Sequence, residues 1–343
     1  MSGFVEDSFD LVTGGAGFIG SHLTDALLAT GRKVRVLDNL SVGRLKNLEH
    51  HKENSNLDIQ TVDVADCQKV LELTKGAERV FHLAALADIV PSIQKPEAYF
   101  RANVDGTFSV LQAAREHQVK RVVYIASSSC YGIPDVYPTP ETSLPAPQYP
   151  YALTKWMGES LVSHWAQVYK LSTVSLRFFN IYGPRARTSG TYGAVFGVFL
   201  AQLLANKPLT VVGDGTQTRD FTYVSDAVSA ILTAAGSSVK GAYNVGSDTT
   251  VSVNKLVELL NPSCGTIHIP KRPGEPDCTF ADISAIKKDL GWMPKVSIEE
   301  GVSNLLENIE YWRDAPVWDP DSIAIATQDW FKYLSSENNR EQK

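Results

Sequence analysis

Tyr151 and Lys155 stand four residues apart in the run YALTK. Positions i and i+4 share one face of a helix, which puts a phenol beside an ammonium. A nearby positive charge favours phenolate and draws the tyrosine pKa down toward neutrality. A phenol tuned in this way can take a proton from a sugar hydroxyl while hydride leaves the same carbon. Lys155 can also bond a hydroxyl of a bound ligand. Taken alone, the pair is equally compatible with a surface Tyr–Lys contact. Three serines, Ser127, Ser128 and Ser129, follow the apolar run Arg121–Ala126. A hydroxyl there can bond the reacting oxygen and share its proton. The three cannot all point inward, and a serine at a strand end can bond its own backbone instead. No GxSxG elbow surrounds them, which argues against an acyl-transfer triad.

A second group suits phosphate. The apolar run Phe9–Thr13 leads into Gly14-Gly15-Ala16-Gly17-Phe18-Ile19-Gly20 and then a helical pattern. Gly14 permits a sharp turn, Gly17 lets a diphosphate approach the backbone, and Gly20 lets helix and strand pack closely. The helix N-terminus then offers free N–H groups and a positive dipole end. Glycines also mark ordinary turns, so the strand–loop–helix context carries the dinucleotide reading. The next strand pattern, Lys33–Leu37, ends at Asp38. A carboxylate there can accept from both adenosine ribose hydroxyls and repels a 2′-phosphate, which favours NAD over NADP. Asp38-Asn39 is also turn chemistry, and Arg44 nearby leaves room for NADP. Asp63, after the third strand pattern, is a candidate for the adenine edge or for a helix cap.

The elements that must position these groups alternate. Strand patterns recur at Leu57–Val62, Arg79–Leu83 and Arg121–Ala126, with a long helical stretch at about Glu97–His117. Alternating strands and helices predict βαβ units and a doubly wound, mostly parallel (Rossmann) sheet. The strands lack polar alternation, as expected for a sheet covered on both faces. Six prolines from Pro134 to Pro150 predict a long loop after Tyr131. A helix over Tyr151–Tyr169 and a strand over Ser172–Phe178 follow. From Asn180 the chain turns rich in Gly, Pro and Arg, which predicts a smaller C-terminal α/β substrate-binding domain. The division expected is 1–179, then 180–335, with segments near 220–247 returning to the first unit, and a polar tail over 336–343.

The chain has 343 residues, room for about two units of about 150 each. Hydrophobic residues make up 43% and charged residues 20%, which excludes a disordered or collagen-like chain. A net charge of −6 argues against bulk nucleic-acid binding. Cys67, Cys130, Cys264 and Cys278 form no CxxC pair and no metal-like cluster with histidine. They read as buried free thiols in a reducing compartment. Met1–Asp10 lacks the positive start of a signal peptide, and no stretch approaches 18 uninterrupted apolar residues, so a cytoplasmic protein without membrane spans or metal is expected. WRDAPVWDP at Trp312–Pro320 suggests no role.

Together these runs resemble the extended short-chain dehydrogenase/reductase family, specifically its nucleotide-sugar epimerases and dehydratases. The likeness is carried by TGGAGFIG at Thr13–Gly20, HLAAL at His82–Leu86, NVDGT at Asn103–Thr107, SSSCYG at Ser127–Gly132, YALTK, RFFNIYGPR at Arg177–Arg185, GDGTQTRDF at Gly213–Phe221, NVGS at Asn244–Ser247 and RPGEPDCTFADIS at Arg272–Ser284. It implies a catalytic Tyr151 with Lys155 as partner, and it selects Ser127 as the catalytic hydroxyl, with Ser128 touching substrate. It implies NAD held by Gly14, Gly17, Phe18, Ile19, Asp38, Asn39, Asp63, Val64, Leu83, Ala84, Ala85, Asn103 and Phe178, besides Tyr151 and Lys155. It implies a sugar-nucleotide diphosphate held by Asn180, Arg219 and Arg272, guanidinium groups suiting that role, and a ribose hydroxyl held by Glu275.

Departures from the family pattern narrow the expectation. Related dehydratases and decarboxylases place an acidic residue just after the catalytic Ser/Thr, where this chain has Ser128 and Ser129. That favours 4-epimerisation of a nucleotide sugar, UDP-linked by default, with NAD retained. The sugar-gating position of hexose epimerases, tyrosine in relatives restricted to plain hexoses, is Thr279 here, which leaves room for an N-acetyl group. Asp88 stands where many relatives are neutral, and would either bond sugar hydroxyls or repel a C6 carboxylate. Nucleotide-base contacts are expected near Thr191–Phe199. Alternatives are a reductase or dehydrogenase with net redox, an epimerase acting at another carbon, and a non-catalytic binding protein. The resemblance also implies a homodimer through helices near Glu97–His117 and Tyr151–Tyr169. The second carries Trp156, Leu161, Val162 and Trp165, more apolar surface than one buried stripe needs.

Overall fold

The computed structural model describes residues 8–186 and 194–335. The readings made for Met1–Asp7, for Thr191–Gly193 and for the tail over 336–343 lie outside the described residues. Seven strands form one parallel sheet: β1 (Phe9–Thr13), β2 (Val34–Asp38), β3 (Leu57–Thr61), β4 (Ala77–His82), β5 (Arg121–Ser127), β6 (Thr173–Phe178) and β7 (Ala242–Val245). Their spatial order is β7-β6-β5-β4-β1-β2-β3. Every residue of β1, β2 and β6 is buried, as a sheet covered on both faces requires. Val12 pairs with Val36 on one side and Phe81 on the other, so β-branched and aromatic side chains stack across the pleat.

Strand order reverses between β1 and β4, which opens a crevice beyond their carboxyl ends, the usual ligand position in such sheets. Helices α1 (Phe18–Ala29), α2 (Gly106–Glu116), α3 (Pro150–Tyr169) and α4 (Val224–Ala235) cover the faces. Leu23 and Leu27 of α1 and Ala227, Ala230 and Ile231 of α4 share one buried apolar cluster with Val12, Val123 and Val174. A separate cluster gathers Phe196, Phe199, Leu209, Leu256, Leu305 and Trp312. Trp312, in the run without an expected role, is almost wholly buried there.

The proline-rich run after Tyr131 forms a loop pinned to the chain around it. Ala146 donates to the Cys130 carbonyl, and Thr139 donates to the Phe280 carbonyl. The stretch expected as one helix over Glu97–His117 is broken into three. A short helix over Pro96–Phe100 passes into a π-helical turn over Arg101–Asp105 and then into α2. Such π turns are rare and often sit at functional sites; this one carries Asn103. The four cysteines are free, but only Cys130 is buried. Cys67 and Cys264 are exposed and Cys278 is half-buried, which corrects the expectation of four buried thiols. Cys67, for one, opens the short helix Cys67–Thr74 at the surface. Among the described residues no helix is long and apolar enough to cross a membrane.

Candidate functional site

A cavity of about 880 Å³ lies along the carboxyl ends of the strands. The glycine loop forms its floor. Gly14 has φ +69°, and a Cβ there would come within 2.8 Å of the Ala84 backbone nitrogen. A Cβ on Gly20 would fall 2.1 Å from the Gly14 carbonyl oxygen, so only glycine lets α1 start this close to β1. Gly14, Gly17, Phe18 and Ile19 border the cavity, as do Asp38, Asn39, Asp63 and Val64. The Asp38 carboxylate accepts from the Ala16 N–H at 3.0 Å and the Leu40 N–H at 2.8 Å. Burial pushes its pKa up and those two bonds oppose the shift. Asp63 accepts from the Ala65 N–H, whereas Asp66 caps the next helix through the Lys69 N–H. Arg44 does not border the cavity; its backbone N–H donates to the Ala16 carbonyl.

Leu83, Ala84 and Ala85 form the facing wall after β4. Thr13 Oγ1 accepts from the Leu83 and Ala84 N–H groups and meets His82 Nδ1 at 2.7 Å. His82 is buried, and burial together with the Lys155 charge lowers its pKa to about 3, so it is neutral and structural. Asn103 stands behind this wall. It does not border the cavity; its amide donates to the Leu86 carbonyl and Thr154 Oγ1 and accepts from the Leu86 N–H. It anchors the wall loop to α3.

Tyr151, Lys155, Ser127, Ser128 and Phe178 also open on the cavity. Tyr151 donates to Ser127 Oγ at 3.3 Å, and Ser127 Oγ accepts from the Ser129 N–H. Lys155 Nζ donates to the Ile125 carbonyl at 2.6 Å and lies 4.4 Å from the centre of the Tyr124 ring. The expected drop in the Tyr151 pKa is therefore not what this geometry produces. Burial pushes the Tyr151 phenol up, with the Ser127 bond opposing, and burial lowers Lys155 to about 7, with Glu159 opposing. The i,i+4 spacing brought both residues to one face, but the amine reaches the nearest carbonyl at the end of β5.

The far end of the cavity is cationic. Asn180, Arg219, Arg272, Glu275 and Thr279 border it, and Asp88 lines the same cavity. Glu275 bridges the two arginines, Oε1 to Arg219 and Oε2 to Arg272, each at 3.0 Å. That engagement was not legible in the sequence, where Glu275 suggested a ribose partner alone. Thr279 Oγ1 donates to Asn180 Oδ1 at 2.8 Å. Trp330, from a helix near the chain end, also borders the cavity, and nothing in its local sequence marks it. Outside the cavity, Asp25, His50 and His51 bring three potential metal ligands within 4.8 Å of one another. Arg185 occupies the second oxygen of Asp25.

The cradle left by Gly14 and Gly20, the start of α1 and the carboxylate of Asp38 fit a dinucleotide by shape and charge. Similarity to known proteins points the same way. A sequence profile for the NAD dependent epimerase/dehydratase family matches residues 11–246. The UDP-glucose 4-epimerase of Mycolicibacterium smegmatis is 35% identical over 304 residues, 87% of this chain and 97% of that protein. The solved UDP-N-acetylglucosamine 4-epimerase of Methanobrevibacter ruminantium M1, in complex with UDP-N-acetylmuramic acid, superposes with a TM-score of 0.84 at 32% identity, covering 90% of this chain and 99% of that one. UDP-glucuronic acid 4-epimerase from Bacillus cereus, solved with UDP-glucuronic acid and NAD, gives 0.81 at 31% identity, covering 88% and 98%. On its sequence, its sheet and its glycine cradle alike, the chain belongs to the NAD-dependent epimerase/dehydratase family, with NAD as its cofactor.

Proposed function

We propose that the chain is a nucleotide-sugar 4-epimerase acting on a UDP-hexose or UDP-N-acetylhexosamine. The observation that carries this reading is a single cavity with a dinucleotide cradle at one end, the Tyr151–Ser127 pair in the middle and the Arg219–Arg272 pair at the other. Asp38, beside the glycine loop, would hold the adenosine ribose, and Lys155 the nicotinamide ribose. Bound NAD supplies reversible acceptance of hydride from the ring carbon, so the reaction has no net redox. As the phenolate that the positive nicotinamide of bound NAD would favour, Tyr151 takes the proton of the 4-hydroxyl and returns it after the 4-keto sugar has turned about its diphosphate linkage. Ser127 bonds the reacting oxygen. Arg219, Arg272 and Asn180 hold the diphosphate, guanidinium groups being suited to such anions.

The test is NMR of the purified protein with UDP-N-acetylglucosamine and, separately, UDP-glucose, with no NAD added. The galacto isomer is expected in at least one tube. Protein that contains NAD and changes neither sugar would contradict this substrate reading. Turnover that requires added NAD(P) and leaves it chemically changed would favour a reductase or dehydrogenase.

Thr279 supports tolerance of the bulkier sugar, because a short side chain borders the cavity there. Thr279→Tyr is expected to cut kcat/KM for UDP-N-acetylglucosamine about 10-fold or more relative to UDP-glucose, the scale of about 1–3 kcal/mol of steric overpacking. Equal losses for both sugars would reject this gating role.

We also infer a homodimer. Val162 and Trp165 bury within the chain and do not supply the contact. Phe100, Phe108, Leu153, Val168 and Tyr169, on and beside α2 and α3, are the exposed large apolar residues that support it. Light scattering is expected to give twice 37.5 kDa, and a single-chain mass would reject the dimer.

A further inference from the structure

The run after Trp312 leads into two short helices, Pro320–Ala326 and Gln328–Leu334. The second lies against the cationic end of the cavity. Trp330 is 5% exposed and donates from its indole Nε1 to the Pro273 carbonyl at 2.7 Å. The Arg272 guanidinium carbon sits 5.0 Å from the centre of the Trp330 ring. One residue earlier, Asp329 accepts from Gln94 Nε2 at 2.8 Å. Gln94 ends the helix Ile89–Gln94, whose first two residues border the cavity next to Asp88. The C-terminal helix therefore ties the Ile89–Gln94 helix to the Arg272–Pro273 loop beside the cavity.

We infer that Trp330 is a positioning residue for the diphosphate end of the site, and that the C-terminal helix is the strap that delivers it. This rests on the nucleotide-sugar reading above. An arginine side chain carries substantial rotamer freedom, which binding an anion must otherwise remove. An indole face against the guanidinium, itself fixed by its N–H bond to Pro273, holds that plane before the ligand arrives. The Glu275 carboxylate also lies 3.0 Å from the same guanidinium. Trp330 touches the arginine, and acts on the anion only through it.

The experiment is titration calorimetry of the NAD-loaded full chain with UDP and with uridine, for wild type, Trp330→Ala, Trp330→Phe and each combined with Arg272→Ala. Trp330→Ala is expected to weaken UDP about 10-fold, with Trp330→Phe recovering most of the loss, as an aromatic face preorganising a cation predicts. Uridine, which lacks the diphosphate, is expected to bind all variants alike, and Trp330→Ala is expected to be silent once Arg272 is gone. Thermal unfolding and NAD content identify any variant that fails to fold, and Trp330→Phe keeps the test available in that case. Wild type binding UDP with Trp330→Ala unaltered would overturn this proposal alone. Equal losses for UDP and uridine would also overturn it, since they would show a general structural defect. Wild type binding NAD but no UDP would overturn the nucleotide-sugar reading and this proposal with it.

Discussion

Tyr151→Phe is expected to lower kcat by about 10³-fold while leaving NAD bound, within the range assigned to one general acid–base group. The substitution removes a single oxygen. The ring keeps its place beside Tyr149, whose stacked ring centre lies 6.3 Å away, and the hydroxyl's contacts with Ser127 and Ser129 are lost. The nearest histidine does not replace the lost phenol. His82, whose pKa responds to the Lys155 charge, is buried, neutral and held between Thr13 and Thr107. The measurement is turnover by NMR, with NAD content read after denaturing the protein. Full activity in the variant would sink the proposed proton transfer. Loss of both activity and NAD would assign Tyr151 a cofactor-holding role instead.

Glu159→Leu is expected to cost about 3–5 kcal/mol of stability, because it strands a buried cation. Glu159 and Arg177 form an ion pair at 2.6 Å with side chains 7% and 6% exposed. Arg177 also donates to the Tyr131 hydroxyl and the Glu141 carbonyl, and Tyr131 donates to Asn244. The network joins α3, β6, β7 and the proline-rich loop, so it fixes the helix that carries Tyr151 and Lys155. Urea unfolding measures the loss. Pairing Glu159→Leu with Arg177→Met is expected to cost much less than the sum of the single changes, since no charge is then left unpaired. A loss under about 1 kcal/mol for Glu159→Leu alone would show that water reaches Arg177 and that the network is not a closed one.

Local spacing determined much of this protein by itself. The limits of β1 at Phe9–Thr13, the glycine cradle and the placing of Ser127 at the end of β5 all follow from short-range rules. A glycine at a positive φ, a turn and a β-branched run each concern neighbours in sequence, and such neighbours are legible from one chain. The common face of Tyr151 and Lys155 was legible for the same reason. What Lys155 bonds was not, because the Ile125 carbonyl belongs to a strand thirty residues earlier. What ties Asn103 to its surroundings was not legible either, because a π turn, invisible to a regular period, sets it beside Leu86 and Thr154. The bridging of Arg219 and Arg272 by Glu275, the Thr279–Asn180 bond and the arrival of Trp330 against Arg272 join residues remote in sequence. Residue type and period carry no record of such meetings; packing of the sheet, the loops and the last helix decided them.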